Sequence, residues 1–346
     1  MMARSGILCA GCWLVDNDKS ISHWPVEETL TNVTDFRIDG GGPAHNVAMD
    51  LTRLGASFPI WGMGAVGDDD AGRFLLNACK DRGINADHIQ VLGGVRTSQT
   101  DVMTVKATGK RTFFHQQGAN ALLSPADFEF SDIPSRILHL GAPGIHRRLD
   151  QAFPDYANGW VAVLTKARNA GLKTNLELVS SKPEEIRRLG NPCLALLDTL
   201  IINDYEAGAM TGLRIVDDGR VSTAEASKAA RMLLDRGVRD LVVVHFPEGC
   251  VAASRAGQVI SHPALWVPQD AISGGNGAGD AFAAGVLYGL HEQWPLEDSL
   301  VLGHCSAASA LRSVSATASV GSVAECLALP AQWGWRSDPQ LEFVGT

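Results

Sequence analysis

Four segments of this chain share one local order: an amphipathic helical stretch, a glycine that stops it, and an apolar run close by. "NVAMDLTRLG" puts Val47, Ala48, Leu51 and Leu54 on one face and stops at Gly55. "DAGRFLLNACKDRG" does the same with Ala71, Phe74, Leu75 and Ala78 before Gly83. "WVAVLTKARNAG" uses Trp160, Val163, Leu164 and Ala167 before Gly171, and "AEASKAARMLLDRG" uses Ala226, Ala229, Ala230 and Leu233 before Gly237. Recurrence at three and four residues is helical, and glycine readily takes the left-handed conformation that ends a helix. Strand candidates lie between these segments, at Phe58–Val66, Lys173–Leu178, Thr199–Ile202 and Asp240–His245. "LVVVHF" is apolar without alternation, which suits a strand covered on both faces. Strands alternating with helices imply an α/β fold around a mainly parallel sheet.

Two regions break the rhythm. Residues 13–39 are polar and carry no strong helix, and residues 97–117 read as a hairpin around Thr108-Gly109. A small β element outside the main sheet is a common lid in such enzymes. The expected organisation is one domain over 6–330, with a lid from about 13–39 and 97–117, and a tail over 331–346.

Composition narrows the function. Hydrophobic residues are 45% of the 346 and charged residues 19%, enough for a sizeable core. The formal net charge is −9 and no run of Lys or Arg stands out, Arg147-Arg148 and Arg187-Arg188 being no more than pairs, so a nucleic-acid surface is not expected. The seven cysteines are scattered and read as reduced, buried thiols; Cys9 and Cys12 form a C-x-x-C inside an apolar run rather than at a helix start. No apolar run reaches the roughly 18 residues of a membrane span, and "ILCAGCWLV" lacks a cleavage site, so a cytoplasmic location is expected.

Four stretches carry candidate chemistry. "GGNGAGDAF" leads into a helix-like run, which places Gly277, Ala278 and Gly279 at a helix N-terminus. Unpaired N–H groups and the positive dipole end there suit an anion, and glycines let it approach closely. Asp280 could be a first-turn acid favoured by the dipole, or a general base beside an anion hole. The stretch is neither an in-register G-x-G-x-x-G nor a Walker loop. "DGGGPAHNVAMDLTRLG" runs Gly40-Gly41-Gly42 into a helix beginning near Pro43–Asn46, with the Asn46 amide available for hydroxyls. Asp16 follows the first apolar run directly, where a carboxylate can accept vicinal hydroxyls; Asp18 is an equally simple candidate. Asn203 ends a strand and Glu206 lies three residues on, either as helix-start residues or as oxygen ligands for Mg²⁺ through water.

These stretches together resemble the ribokinase-like (PfkB) carbohydrate kinase family, from about Ile7 to Leu329 and in the family's order. "GGGPAHNVAMDLTRLG" is similar to its N-terminal signature; "GAVGDDDAGRFLL", "GAN" at Gly118–Asn120 and "NDYEA", matching N-x-x-E, follow; "NGAGDAFAAGVLYG" is similar to its C-terminal signature. The resemblance implies a three-layer αβα sandwich with a β-sheet lid, and ATP-dependent phosphorylation of a hydroxyl, usually a hydroxymethyl, on a sugar or nucleoside. By position, Asp280 looks like the catalytic base and Gly277, Ala278 and Gly279 like the anion hole. Asp16, Gly41, Gly42 and Asn46 look like the sugar-hydroxyl site, and Asn203 and Glu206 like the Mg²⁺–phosphate network. The lid implies a homodimer.

The chain departs from that pattern at two places. Gly274 and Gly275 stand where the family has Asp-Thr before Asn276. "HFPEGC" has His245 and Pro247 in place of Thr and Gly in the nucleotide segment, which retains Gly249. Ser273, Asn276 and His245 are the candidate substitutes as phosphate contacts. A nucleoside kinase is the main alternative, since Asn276 fits the adenosine-type variant; a non-catalytic sugar or nucleotide sensor is the alternative from another class. The acceptor, the nucleotide preference, dependence on a monovalent cation and the oligomeric state are left open by the sequence.

Overall fold

The computed structural model describes residues 4–336. Nine strands form a large sheet in the order Val259–Pro263, Gly249–Ser254, Leu241–Phe246, Thr199–Asn203, Lys173–Leu176, Ile137–Gly141, Ile7–Gly11, Ile60–Gly67 and Asn85–Leu92. The seven from Leu241–Phe246 onward are parallel, and the first two fold back antiparallel at one edge. The mainly parallel sheet expected from the helix–glycine–strand rhythm is present.

Alternation along the buried strands feeds two separate cores. Leu8, Ala10, Leu138 and Leu140 pack with Trp160, Val163, Ala229 and Leu233. Ile7, Cys9, Ile201 and Val243 pack with Val47, Leu51, Phe282 and Leu302. Successive side chains point to opposite faces of a strand, so two cores require a helical layer on each face. The three-layer sandwich follows.

Most of the expected inward faces hold, with one exception. On the helix Asp70–Asp81, Phe74 is 40% exposed, while Gly72, Leu75 and Cys79 are buried. The helix Pro43–Arg53 is buried well beyond its apolar stripe: every residue from Ala44 to Leu51 is enclosed, including His45, Asn46 and Asp50.

The first apolar run does not form one strand. Ile7–Gly11 belongs to the large sheet and Leu14–Ile21 to a small second one. The chain leaves the large sheet at Gly11, whose φ is 102° and where a Cβ would lie 2.0 Å from Gly141 O. Asp16 therefore does not end a core strand, as its place after the run suggests. It is the third residue of a small-sheet strand. Cys9 and Cys12 are both buried, and loss of solvent pushes both thiols up, which removes the thiolate a redox pair needs.

The small sheet has the order Val33–Gly41, Leu14–Ile21, Ser98–Val105, Arg111–Gln116. Its middle pair is parallel and its outer pairs antiparallel. The hairpin turn contains Gly109 with φ 65°, as the Thr108-Gly109 signal implies. At the other end of the chain, the helix Val323–Trp333 runs through Pro330, and Trp335 bridges to Leu265. The expected start of the tail thus falls inside a helix, and residues 337–346 of it lie outside the described residues.

The helix Ala278–His291 packs backbone to backbone on Leu296–Ala310: a Cβ on Gly285 would sit 2.8 Å from Gly303 Cα. Gly285→Val should therefore cost about 1–3 kcal/mol by overpacking, seen as a lower midpoint in urea denaturation with an unchanged slope.

Candidate active site

Two helix N-termini meet at Asn46 and Asp280. Gly277 precedes Ala278–His291 with φ 72°, and a Cβ on it would lie 2.4 Å from Ala316 O. Both the backbone conformation and the close approach demand glycine there. Asp280 lies in that helix's first turn. Opposite it, Gly42 has φ 89° and precedes Pro43 at the first turn of the helix that carries Asn46. The Asn46 amide donates to Asp280 Oδ2 at 2.8 Å, and His45 Nδ1 lies 3.1 Å from Asn46 Oδ1.

Loss of solvent raises the Asp280 carboxyl to about 6, while the Asn46 hydrogen bond acts in the opposite direction. A carboxylate so tuned can take a proton from an alcohol near neutral pH. The backbone N–H groups of Gly277, Ala278 and Gly279 open the same helix, where developing negative charge is favoured.

Asp16 stands beside this pair. It is buried, and burial raises its carboxyl to about 7; Asp18, Asp39 and Asp280 push the same way, and the Asn276 amide pulls it down. Gly41 is packed against it: a Cβ there would fall 2.4 Å from Asp16 Oδ2. Gly42 faces away, against Cys12, with a Cβ position 2.7 Å from Cys12 O. The structure thus brings Asp16, Gly41, Asn46, Asn276 and Asp280 together, while Gly42 acts by letting the chain turn over Cys12. Asp18 lies one pleat further out, raised to about 6 chiefly by burial.

Asn203 and Glu206 form a capping box. Asn203 Oδ1 accepts from Glu206 N–H at 2.8 Å, and Asn203 N–H donates to Glu206 Oε2 at 3.2 Å. Ser180 Oγ donates to Glu206 Oε1 at 2.8 Å and accepts from Asn203 Nδ2 at 3.0 Å. Both carboxylate oxygens are thus hydrogen-bonded. Among the described residues, no three Asp, Glu, His or Cys side chains are gathered for direct metal binding.

Two cavities flank the Gly277–Asp280 turn. One, of about 520 Å³, reaches from Ala278 and Gly279 past His245 and Phe282 to His304 and Arg336. His245 stacks near Phe282 with ring centres 5.0 Å apart and lies 3.6 Å from a Cβ position on Gly279; burial lowers its pKa to about 4, so it is neutral. Gly249 is buried at the start of its strand, paired with Phe246, in the turn behind this cavity. The second cavity, of about 290 Å³, lies between Ile272–Gly275 and the small sheet. Gly274 has no room for a side chain in this conformation, since a Cβ would meet Ser313 O at 2.9 Å, whereas Gly275 faces Arg111 of the small sheet.

A pfkB family carbohydrate kinase model matches residues 13–322. The chain belongs to the PfkB family of carbohydrate kinases. Like other PfkB carbohydrate kinases it is a phosphotransferase. It is 25% identical over 305 residues to a ribokinase from Haemophilus influenzae, covering 87% of this chain and 90% of that one. The fold is similar to a ribokinase from Thermotoga maritima, with TM-score 0.77, 18% identity and 95% and 99% of the two chains covered. It is also similar to an Arabidopsis thaliana ribokinase complexed with ribose and ATP, with TM-score 0.75, 20% identity and coverage of 95% and 99%. No described helix of this PfkB chain is long and apolar enough to cross a membrane.

Two acids near Asp280 escaped the sequence reading. Glu177 follows the strand Lys173–Leu176; it is buried, Oε2 has no partner, and burial, Asp280 and Glu206 hold its carboxyl well above the ordinary range. Its place at a strand's carboxyl end was the available signal. Asp50 is fully buried with both oxygens unpartnered, and burial and Asp280 raise it similarly. An acid four residues after Asn46, on a helix with so much apolar surface, was the clue.

Asp50 generates a prediction. Its carboxyl titrates near about 3.9 in the unfolded chain and well above that when folded, so the folded state holds the proton more tightly. Stability is then highest below the unfolded value and is lost as pH rises between the two. Asp50→Asn removes that loss, so its gain in melting temperature over the parent should grow as pH rises above the unfolded value of about 3.9, in parallel thermal melts.

Proposed function

We propose that this carbohydrate kinase transfers the γ-phosphoryl group of ATP to a hydroxyl, in the usual case a hydroxymethyl, of a sugar or sugar derivative. The observation that carries the reading is the Asn46–Asp280 hydrogen bond of 2.8 Å at two facing helix N-termini. Asp280 takes the proton of the acceptor hydroxyl as its oxygen attacks phosphorus, and ADP leaves. The N–H groups of Gly277, Ala278 and Gly279 stabilise the charge on the transferring group. Asp16 accepts hydroxyls of the sugar, with Gly41 giving the space and Asn46 orienting both base and acceptor.

The 520 Å³ cavity beyond Ala278 and Gly279 is the nucleotide site on this reading. His245 and Asn276 flank the phosphates, and Gly249 keeps the turn behind them compact. The ATP in the Arabidopsis ribokinase complex supports ATP as donor. Mg²⁺, when bound, neutralises phosphate charge. Asn203 and Glu206 are the residues to hold it through water, with Glu177 beside them; the unpartnered Glu177 Oε2 is the observation that fits a cation there. The small sheet serves as a lid over the acceptor.

The lid also supports a homodimer. Trp24, Phe36, Ile38 and Phe114 are all about half exposed, and Trp24 stacks on Phe114 at 6.1 Å. Both sheet edges, Val33–Gly41 and Arg111–Gln116, stand largely clear of the body. A second copy would cover this surface and these edges. Phe36→Asp combined with Ile38→Asp should shift sedimentation from dimer to monomer.

The central experiment is ADP release with MgATP over a panel of sugars, sugar acids and nucleosides. Asp280→Asn should lower turnover by roughly 10²–10⁴-fold while acceptor binding survives in calorimetry. Near-normal turnover in that variant would sink the assigned role. For the unaltered protein, kcat/KM should climb with pH through about 6 and then level, because the base works deprotonated.

A further inference from the structure

A row of four polar side chains crosses the small sheet. Asp39 is paired with Asp16, Asp16 with Thr100, and Thr100 with His115, each directly opposite the next on the neighbouring strand. Directly paired residues project from the same face. That face is turned toward the large sheet: Asp16 and Thr100 are buried, and Asp16 feels the charge of Asp280. His115 lies close enough to His146 to act on its charge, and His146 follows the large-sheet strand Ile137–Gly141. The row therefore runs along the acceptor side of the catalytic pair, with His115 at its far end.

His115 is held at one nitrogen and vacant at the other. Nδ1 lies 3.0 Å from Thr100 Oγ1, while Nε2 is buried without a partner. A buried polar atom left unpaired costs free energy, and a ring held at Nδ1 has a set direction. Burial lowers the His115 pKa, so the imidazole is neutral near pH 7 and offers Nε2 as one donor or one acceptor.

Resting on the kinase reading above, we infer that His115 is a specificity-determining residue that hydrogen-bonds, through Nε2, an oxygen at the end of the acceptor remote from Asp280. The acceptor is then a polyhydroxylated chain or ring long enough to reach from Asp280 to His115. Asp16 takes its middle hydroxyls and Asp280 its reacting one.

The test uses ADP release by the full chain with pentoses, hexoses and their monodeoxy analogues, D-ribose and D-fructose included. The unaltered protein should discriminate against the analogue that lacks one particular hydroxyl. His115→Phe should raise acceptor KM by roughly tenfold, kcat falling less, and should lose that discrimination, as expected for one buried hydrogen bond. KM for ATP should stay within about twofold, and His115→Gln should recover part of the acceptor affinity. A higher acceptor KM with the deoxy discrimination intact overturns the assignment, since a merely deformed lid would give that result. Full deoxy discrimination retained by His115→Phe with an unchanged acceptor KM also overturns it, while leaving the kinase reading standing. Absence of ADP release with every acceptor overturns the kinase reading, and the role of His115 with it.

Discussion

One hydrogen bond joins the two halves of the chain at the site: Asn46 Nδ2 to Asp280 Oδ2, across 234 positions of sequence. It is possible only because two helices begin with their N-termini facing each other. Each start is made by a glycine at positive φ, Gly42 and Gly277, pressed against backbone that leaves no room for a Cβ. The positive ends of both helices thus surround one carboxylate. The same packing withdraws that carboxylate from water, so burial raises its pKa while the Asn46 amide restrains the rise.

The surroundings of Asp280 are acidic. Asp16, Asp50 and Glu177 all feel its charge, and each is held above its ordinary range chiefly by burial. Backbone dipoles at the two helix N-termini supply positive potential beside these acids, and Arg111 and Arg336 line the two flanking cavities. Local positive potential can thus coexist with a net charge of −9. Asp50 shows the cost: a buried acid with no partner is tolerated only while it stays protonated.

Much of the fold was legible because periodicity and glycine stops report local geometry. Gly55, Gly83, Gly171 and Gly237 all have positive φ just past their helices. The glycine-led helix starts carrying Asn46 and Asp280 were equally visible, since their chemistry is written in adjacent residues. The break in the first apolar run was not, because Gly11 turns the chain for lack of space beside Gly141, a contact 130 residues away. The Phe74 error has a similar origin: helical spacing defines a stripe but not where the neighbouring sheet ends. Glu177 is isolated in sequence, and only strand order brings it near Asp280; strand pairing likewise sets the isolated His115 opposite Thr100. Gly274 looked like a loss of a family side chain, whereas the backbone at Ser313–Val314 occupies the space such a side chain would need.

The small sheet has two different faces written in one alternation. Asp39, Asp16, Thr100 and His115 project inward, while Phe36, Ile38 and Phe114 project from the other side, one residue out of step. Strand parity links the two sets rigidly. A single-residue insertion or deletion ahead of Asp16 within Leu14–Ile21 would turn Asp16 and Asp18 to the outer face and bring Asn17 and Lys19 inward, while the neighbouring strands keep their facing. On the kinase and dimer readings proposed above, a change in the length of that one strand would remove the acceptor acid and place like charges on the subunit surface in a single step, whereas a point substitution alters one face and leaves the other.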